Sequence, residues 1–227
     1  MSRTRTVTGL VAAGAAALAL SACGGHPGSA AVVGSQPIDD ARVDAFARAL
    51  CYDPQVAGQQ TPRDLPSRTV RRDALTILLT GELNSQFAAS LGVEPDQELV
   101  SAAVAANSAT IEALPAGRRE VFRQVLEEYA EGQLSLLQVG RAALASQGGQ
   151  GTDQQAIAAG TQLRDRWAAR NVEVSVDPRF GSYRSGQVVN AGDGSLSVPV
   201  SRRATAGAAA QPDAAYAAAL PASQKCS

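Results

Sequence analysis

The chain has 227 residues, with 20 Lys and Arg against 21 Asp and Glu, one histidine and three cysteines. A net charge of −1 gives no basic footprint for a nucleic-acid backbone. The single histidine, His26, leaves no Ser-His-Asp or Cys-His arrangement and too few ligands for a His/Cys zinc site.

The N-terminus reads as an export signal. Arg3 and Arg5 form a basic head, and Leu10 to Leu20 is an uncharged apolar run too short to span a bilayer stably. Leu20-Ser21-Ala22-Cys23 follows and looks like a bacterial lipobox. Residues 1–22 are then a cleaved signal peptide, and Cys23 is the lipidation site, carrying diacylglyceryl and palmitate-type chains. The expected address is the extracytoplasmic face of the cell membrane, through this lipid anchor. Residues 23–30 read as a tether, with Gly24-Gly25-His26-Pro27-Gly28 supplying flexibility. The alternative is an ordinary secretory signal or a membrane anchor.

Removing 22 residues leaves 205, enough for one domain or two small ones. Lysine occurs once, at Lys225, and aromatic residues make up 4% of the chain, so the core is expected to consist of Leu, Val, Ile and Ala. Cys51 and Cys226 remain after acylation of Cys23. In an oxidising compartment they read as one disulfide joining the end of the first helix to the C-terminus; two free thiols are the alternative.

In chain order, Ala30–Val33 is a β-prone run, and Gly34 to Pro37 is expected to turn. Ile38-Asp39-Asp40 opens a helix with Asp as its cap and Val43, Phe46, Ala47 and Leu50 on its apolar face. Tyr52 to Pro66 is a loop. A second helix runs from Ser67 to Gly92 with Leu75, Leu78, Leu79, Leu83 and Phe87 inward. A third, with Pro95 in its first turn, places Leu99, Val100, Ala103, Val104, Ile111 and Leu114 inward. The fourth spans about Arg118 to Ser146, with Phe122, Val125, Leu126, Tyr129, Leu136 and Leu137 as its stripe. Its outer face carries Glu127, Glu128 and Glu131, read as solvated rather than as a catalytic acidic pair.

Thr152 or Asp153 caps a fifth helix with Ile157, Leu163 and Trp167 inward. Val172 to Val176 alternates as a half-buried strand and is the expected partner of the N-terminal one. Arg179, in Asp177-Pro178-Arg179-Phe180-Gly181, is either a carboxylate binder or a brace for that turn. Ser195–Ser201 reads as a further extended segment, and residues 202–227 as a low-complexity tail without regular structure, tied by Cys226. The fold class is thus mainly α: a five-helix domain over residues 31–201 with a small β element.

Ala31-Val32-Val33-Gly34-Ser35-Gln36-Pro37-Ile38, followed by an amphipathic helix, resembles the opening of SurA-like and PrsA-like extracytoplasmic chaperones. Val174 to Gly181 is similar to the closing "V-x-(D/N)-P-R-(F/Y)-G" segment of that family, and Ser195 to Val200 to the tail of its lipoprotein members. Val33 stands where the family usually has Asn. The parvulin isomerase domain is missing, because only Gln147 to Gly151 occupies its insertion point.

The resemblance implies a chaperone-like core that holds unfolded or exported polypeptides in an apolar groove, without catalysis, cofactor or metal. Leu78, Phe87, Phe122, Leu126 and Tyr129 are the candidate lining. A structural or adaptor lipoprotein with one fixed envelope partner is the alternative.

Overall fold

The computed structural model describes residues 27–52, 65–189, 200–209 and 214–226. Cys23, His26 and the stretch 190–199 lie outside the described residues, and with them the expected lipidation site and most of the expected segment Ser195–Ser201.

The fold is mainly helical with a small antiparallel sheet. Strand β1 (Ser29–Val33) begins inside the expected tether. It turns at Gly34-Ser35 into β2 (Gln36–Asp39), so Gln36, Pro37 and Ile38 belong to a hairpin rather than to a turn and a helix start. Gly34 has φ +62, which suits glycine in so tight a turn. Strand β3 (Val174–Val176) pairs with the other side of β1, Ala31 opposite Val176 and Val33 opposite Val174. The sheet order is therefore β2-β1-β3, and the two ends of the helical domain meet in it. Pro37 sits on the edge strand, where its missing N–H is tolerated.

Helix α1 (Asp40–Leu50) has Asp39 at its cap position, without a side-chain capping bond, and buries Val43, Phe46, Ala47 and Leu50. Helix α2 (Ser67–Leu91) crosses the centre with the whole expected stripe from Leu75 to Phe87 buried, and ends on Gly92 in the left-handed conformation, φ 64. The expected third helix is two: α3 (Gln97–Ala105), capped by Asp96, and α4 (Ser108–Ala113). Asn107 causes the break, because its Nδ2 donates to the Ala103 carbonyl at 2.9 Å and competes with the backbone ladder. Pro95 precedes the cap instead of standing in the first turn, and Leu99 is 53% exposed rather than inward.

Helices α5 (Ala116–Ser146) and α6 (Asp153–Asn171) form the longest hairpin, and a capping box between Thr152 and Gln155 starts α6. The buried face of α6 is Ala156, Gly160 and Arg164, while Ile157, Leu163 and Trp167 are only half-buried. The reason is a close backbone approach. A Cβ on Gly160 would stand 2.2 Å from the Leu136 carbonyl oxygen, and one on Gly140 would stand 1.8 Å from that of Ala156. Only small residues fit that seam, so larger apolar side chains move to its flanks.

A second hairpin, β4 (Ser182–Arg184) with β5 (Gln187–Val189), follows the Asp-Pro-Arg-Phe-Gly segment and turns through Ser185 and Gly186, both at positive φ. It docks on α2, where the Val188 N–H donates to Thr76 Oγ1 at 3.1 Å. The expected unstructured tail carries α7 (Arg202–Ala208) and α8 (Ala214–Ala218), in keeping with the helix propensity of its alanines.

Cys51 and Cys226 are joined by a disulfide with Cα atoms 5.5 Å apart. Beside it the Cys226 N–H donates to the Leu65 carbonyl at 2.8 Å, so the chain end is pinned by backbone as well as by sulfur.

Candidate functional site

A cleft of about 540 Å³ opens between α2, α5, the edge strand β2 and the loop from α2 to α3. That volume lies in the range of small-ligand and peptide-side-chain pockets. Helix α2 presents Leu78, Gly81, Glu82, Ser85 and Ala89 to it, spaced by threes and fours along one face. Helix α5 presents Glu128, Glu131, Gly132 and Ser135 with the same periodicity. Pro37 and Ile38 of β2 and Val93, Glu94 and Pro95 of the loop complete the walls. Ile38, Leu78 and Ala88 are buried beneath the cleft, and its exposed surface is largely polar and acidic.

The helix crossing at the floor depends on Gly132. A Cβ there would meet the Asn84 amide at 2.8 Å. Asn84 in turn accepts at 2.8 Å from Nη1 of Arg164, a buried guanidinium that also bonds Asp165. Helices α2 and α6 are thereby tied behind the cleft by a buried polar contact, and α5 packs on the same asparagine through Gly132.

Glu82, Glu94, Glu128 and Glu131 face a single cation, Arg42. That cation is already committed, because Arg42 Nη2 lies 2.5 Å from Glu128. Glu82 accepts from Gln86, and Glu94 and Glu131 have no hydrogen-bond or ion-pair partner among the described residues. No group of three His, Cys, Asp or Glu among the described residues is arranged to hold a metal ion.

Of the five residues expected to line a groove, Leu78 alone borders this cleft. Phe87 is buried against Trp167, ring centroids 5.6 Å apart, and Phe122 against Phe46 at 6.2 Å. Leu126 is half-buried against the core, and Tyr129 is 44% exposed on the outside of α5 rather than part of its inner stripe. Glu128 and Glu131, expected on a solvated face, are solvent-exposed and half-exposed and also line the cleft, where Ser135, Glu82 and Arg42 join them. The stripe of acidic and small residues at positions 128, 131, 132 and 135 is the signal that marks this face.

Arg179 braces its turn. It donates to Asp40 at 3.2 Å and to Asp177 at 2.9–3.1 Å, and the bonds to Asp177 hold that carboxyl below its ordinary range. Arg71 bonds Asp44 and Asp40 at 2.5 and 3.1 Å and lies 4.8 Å over the ring of the buried Phe180. This cluster ties the start of α1 to α2 and to the end of β3.

No helix among the described residues is long and apolar enough to cross a membrane. A scan against family models and searches of curated proteins and of solved structures find no match to this chain.

Proposed function

We propose that this chain is a lipid-anchored, extracytoplasmic binding protein that holds extended segments of unfolded or exported polypeptides without catalysis. The observation that carries the proposal is the cleft between α2 and α5. Its exposed Pro37 and Ala89 and half-buried Val93 accept apolar side chains, and burial there contributes about 25 cal/mol per Å² without directional demands. The lipobox at Cys23 and the likeness to SurA-type chaperones support the address and the role.

The test is suppression of aggregation. The full chain is expected to slow the aggregation of a denatured test protein, and Ala89→Trp, on an exposed wall of the cleft, to abolish that effect. No protection by the unsubstituted chain at several-fold molar excess overturns the proposal.

A specific observation favours a second reading, an adaptor with one fixed envelope partner. Leu78, Phe87 and Phe122 are buried, which supports a narrow surface for one partner over the broad apolar groove of a general holdase. Stoichiometric co-purification of a single protein, with no protection in the aggregation assay, selects that reading.

A further inference from the structure

We infer, on the basis of the polypeptide-binding role proposed above, that the cleft selects extended segments in which an arginine or lysine stands beside an apolar residue. Four carboxylates line the cleft against one guanidinium, and that guanidinium is held by Glu128. A second observation points to a ligand. Ser135 is 4% exposed, borders the cleft and has no hydrogen-bond partner among the described residues. A serine inside a helix commonly bonds back to its own ladder; this hydroxyl is left for an occupant.

A bound metal ion does not fit this charge, since no three carboxylates converge among the described residues. Strand addition is blunted as well. The edge strand β2 carries Pro37 at the cleft, and proline offers no N–H to an incoming backbone. Recognition therefore falls to side chains. An apolar group settles on Pro37, Ala89 and Val93, and a cation one or two residues away meets Glu94 and Glu131, with the Ser135 hydroxyl bonding the segment between them. Charge-assisted hydrogen bonds of this kind are stronger than neutral ones and give the cleft its selectivity.

The experiment is fluorescence anisotropy with the full chain in neutral detergent. Three labelled peptides share one extended Leu/Ala sequence and carry two Arg, two Gln or two Glu. The Arg peptide is expected to bind about tenfold more tightly than the Gln peptide, and the Glu peptide most weakly. Raising the salt from 0.05 to 0.5 M is expected to remove most of that preference. The double variant Glu94→Gln/Glu131→Gln is expected to equalise the Arg and Gln peptides, and Ser135→Ala to weaken all three by a few-fold. Both carboxylates lack structural partners, so the double variant keeps its fold; Glu94→Gln alone, in the loop, is the second variant. Equal binding of the three peptides overturns the inference and leaves the polypeptide-binding role standing. Binding of none overturns both. Equally tight binding of a free polyamine overturns the inference in favour of a small polycation.

Discussion

Arg42 of α1 donates from Nη2 to both carboxylate oxygens of Glu128 on α5, at 2.5 Å each. The pair lines the cleft and neutralises one of its four carboxylates. The two side chains are 39% and 47% exposed, so the pair adds under about 1 kcal/mol to stability. Arg42→Ala is therefore expected to leave the thermal midpoint nearly unchanged while tightening the binding of an Arg-bearing peptide several-fold. Calorimetry and anisotropy on the same variant check the two halves, and weaker binding of that peptide contradicts the electrostatic role given to the cleft.

The Cys51–Cys226 bond closes a loop with a sequence separation of 175, worth about 5 kcal/mol in the chain-entropy model. Cys51→Ser is expected to cost about 2–5 kcal/mol in urea unfolding. It is also expected to open the stretch around Leu65 and Cys226 to limited proteolysis, because the short backbone pairing of Leu65 and Pro66 with Lys225 and Cys226 then holds it without sulfur. An unchanged urea midpoint rules the staple out.

Gly160 and Gly81 are both helical glycines with opposite surroundings. Gly160→Ala drives a methyl group onto the Leu136 carbonyl, 2.2 Å away, and is expected to destabilise by about 1–3 kcal/mol through displacement of α6. Gly81→Ala meets nothing within 4 Å and is expected to stabilise by about 0.5–1 kcal/mol through helix propensity. Chemical denaturation of the two variants gives shifts of opposite sign if the α5–α6 seam is packed as described.

Asp177 is held below its ordinary range first by the side-chain hydrogen bonds of Arg179. A lowered folded-state value means that its contribution is present above the unfolded value, about pH 4, and is lost as the pH falls through the folded one. Asp177→Asn is expected to lower stability at pH 7 and to flatten the acid limb of the stability curve below about pH 4. A variant curve parallel to the parent in that window contradicts the brace.

The parts of the fold written in local periodicity were legible from the chain. The run of Leu75, Leu78, Leu79, Leu83 and Phe87 declares a buried helix face, the strict alternation over 172–176 announces a strand that forms as β3 over Val174–Val176, and Cys51 and Cys226 pair as expected. The α5–α6 seam was misread because periodicity marks large apolar residues, and here Gly140, Ala156 and Gly160 are inward while Trp167 is on the flank. The break at Asn107 turns on one side-chain hydrogen bond, and the β4–β5 hairpin on two positive-φ residues in a Ser-Gly pair. The cleft was hidden for another reason. Glu128 and Glu131 on a helix look the same whether they face water or another helix, and the crossing of α2 over α5 decides which.

The most direct test of polypeptide capture is photocrosslinking in cells from a probe placed at Ala89, on the cleft wall, with a control probe at the exposed Gln154 of α6. Crosslinks from position 89 to many exported chains, enriched at segments with basic residues and absent from position 154, are predicted. Equal crosslinking from both positions, or none from position 89, would contradict the cleft as the binding site.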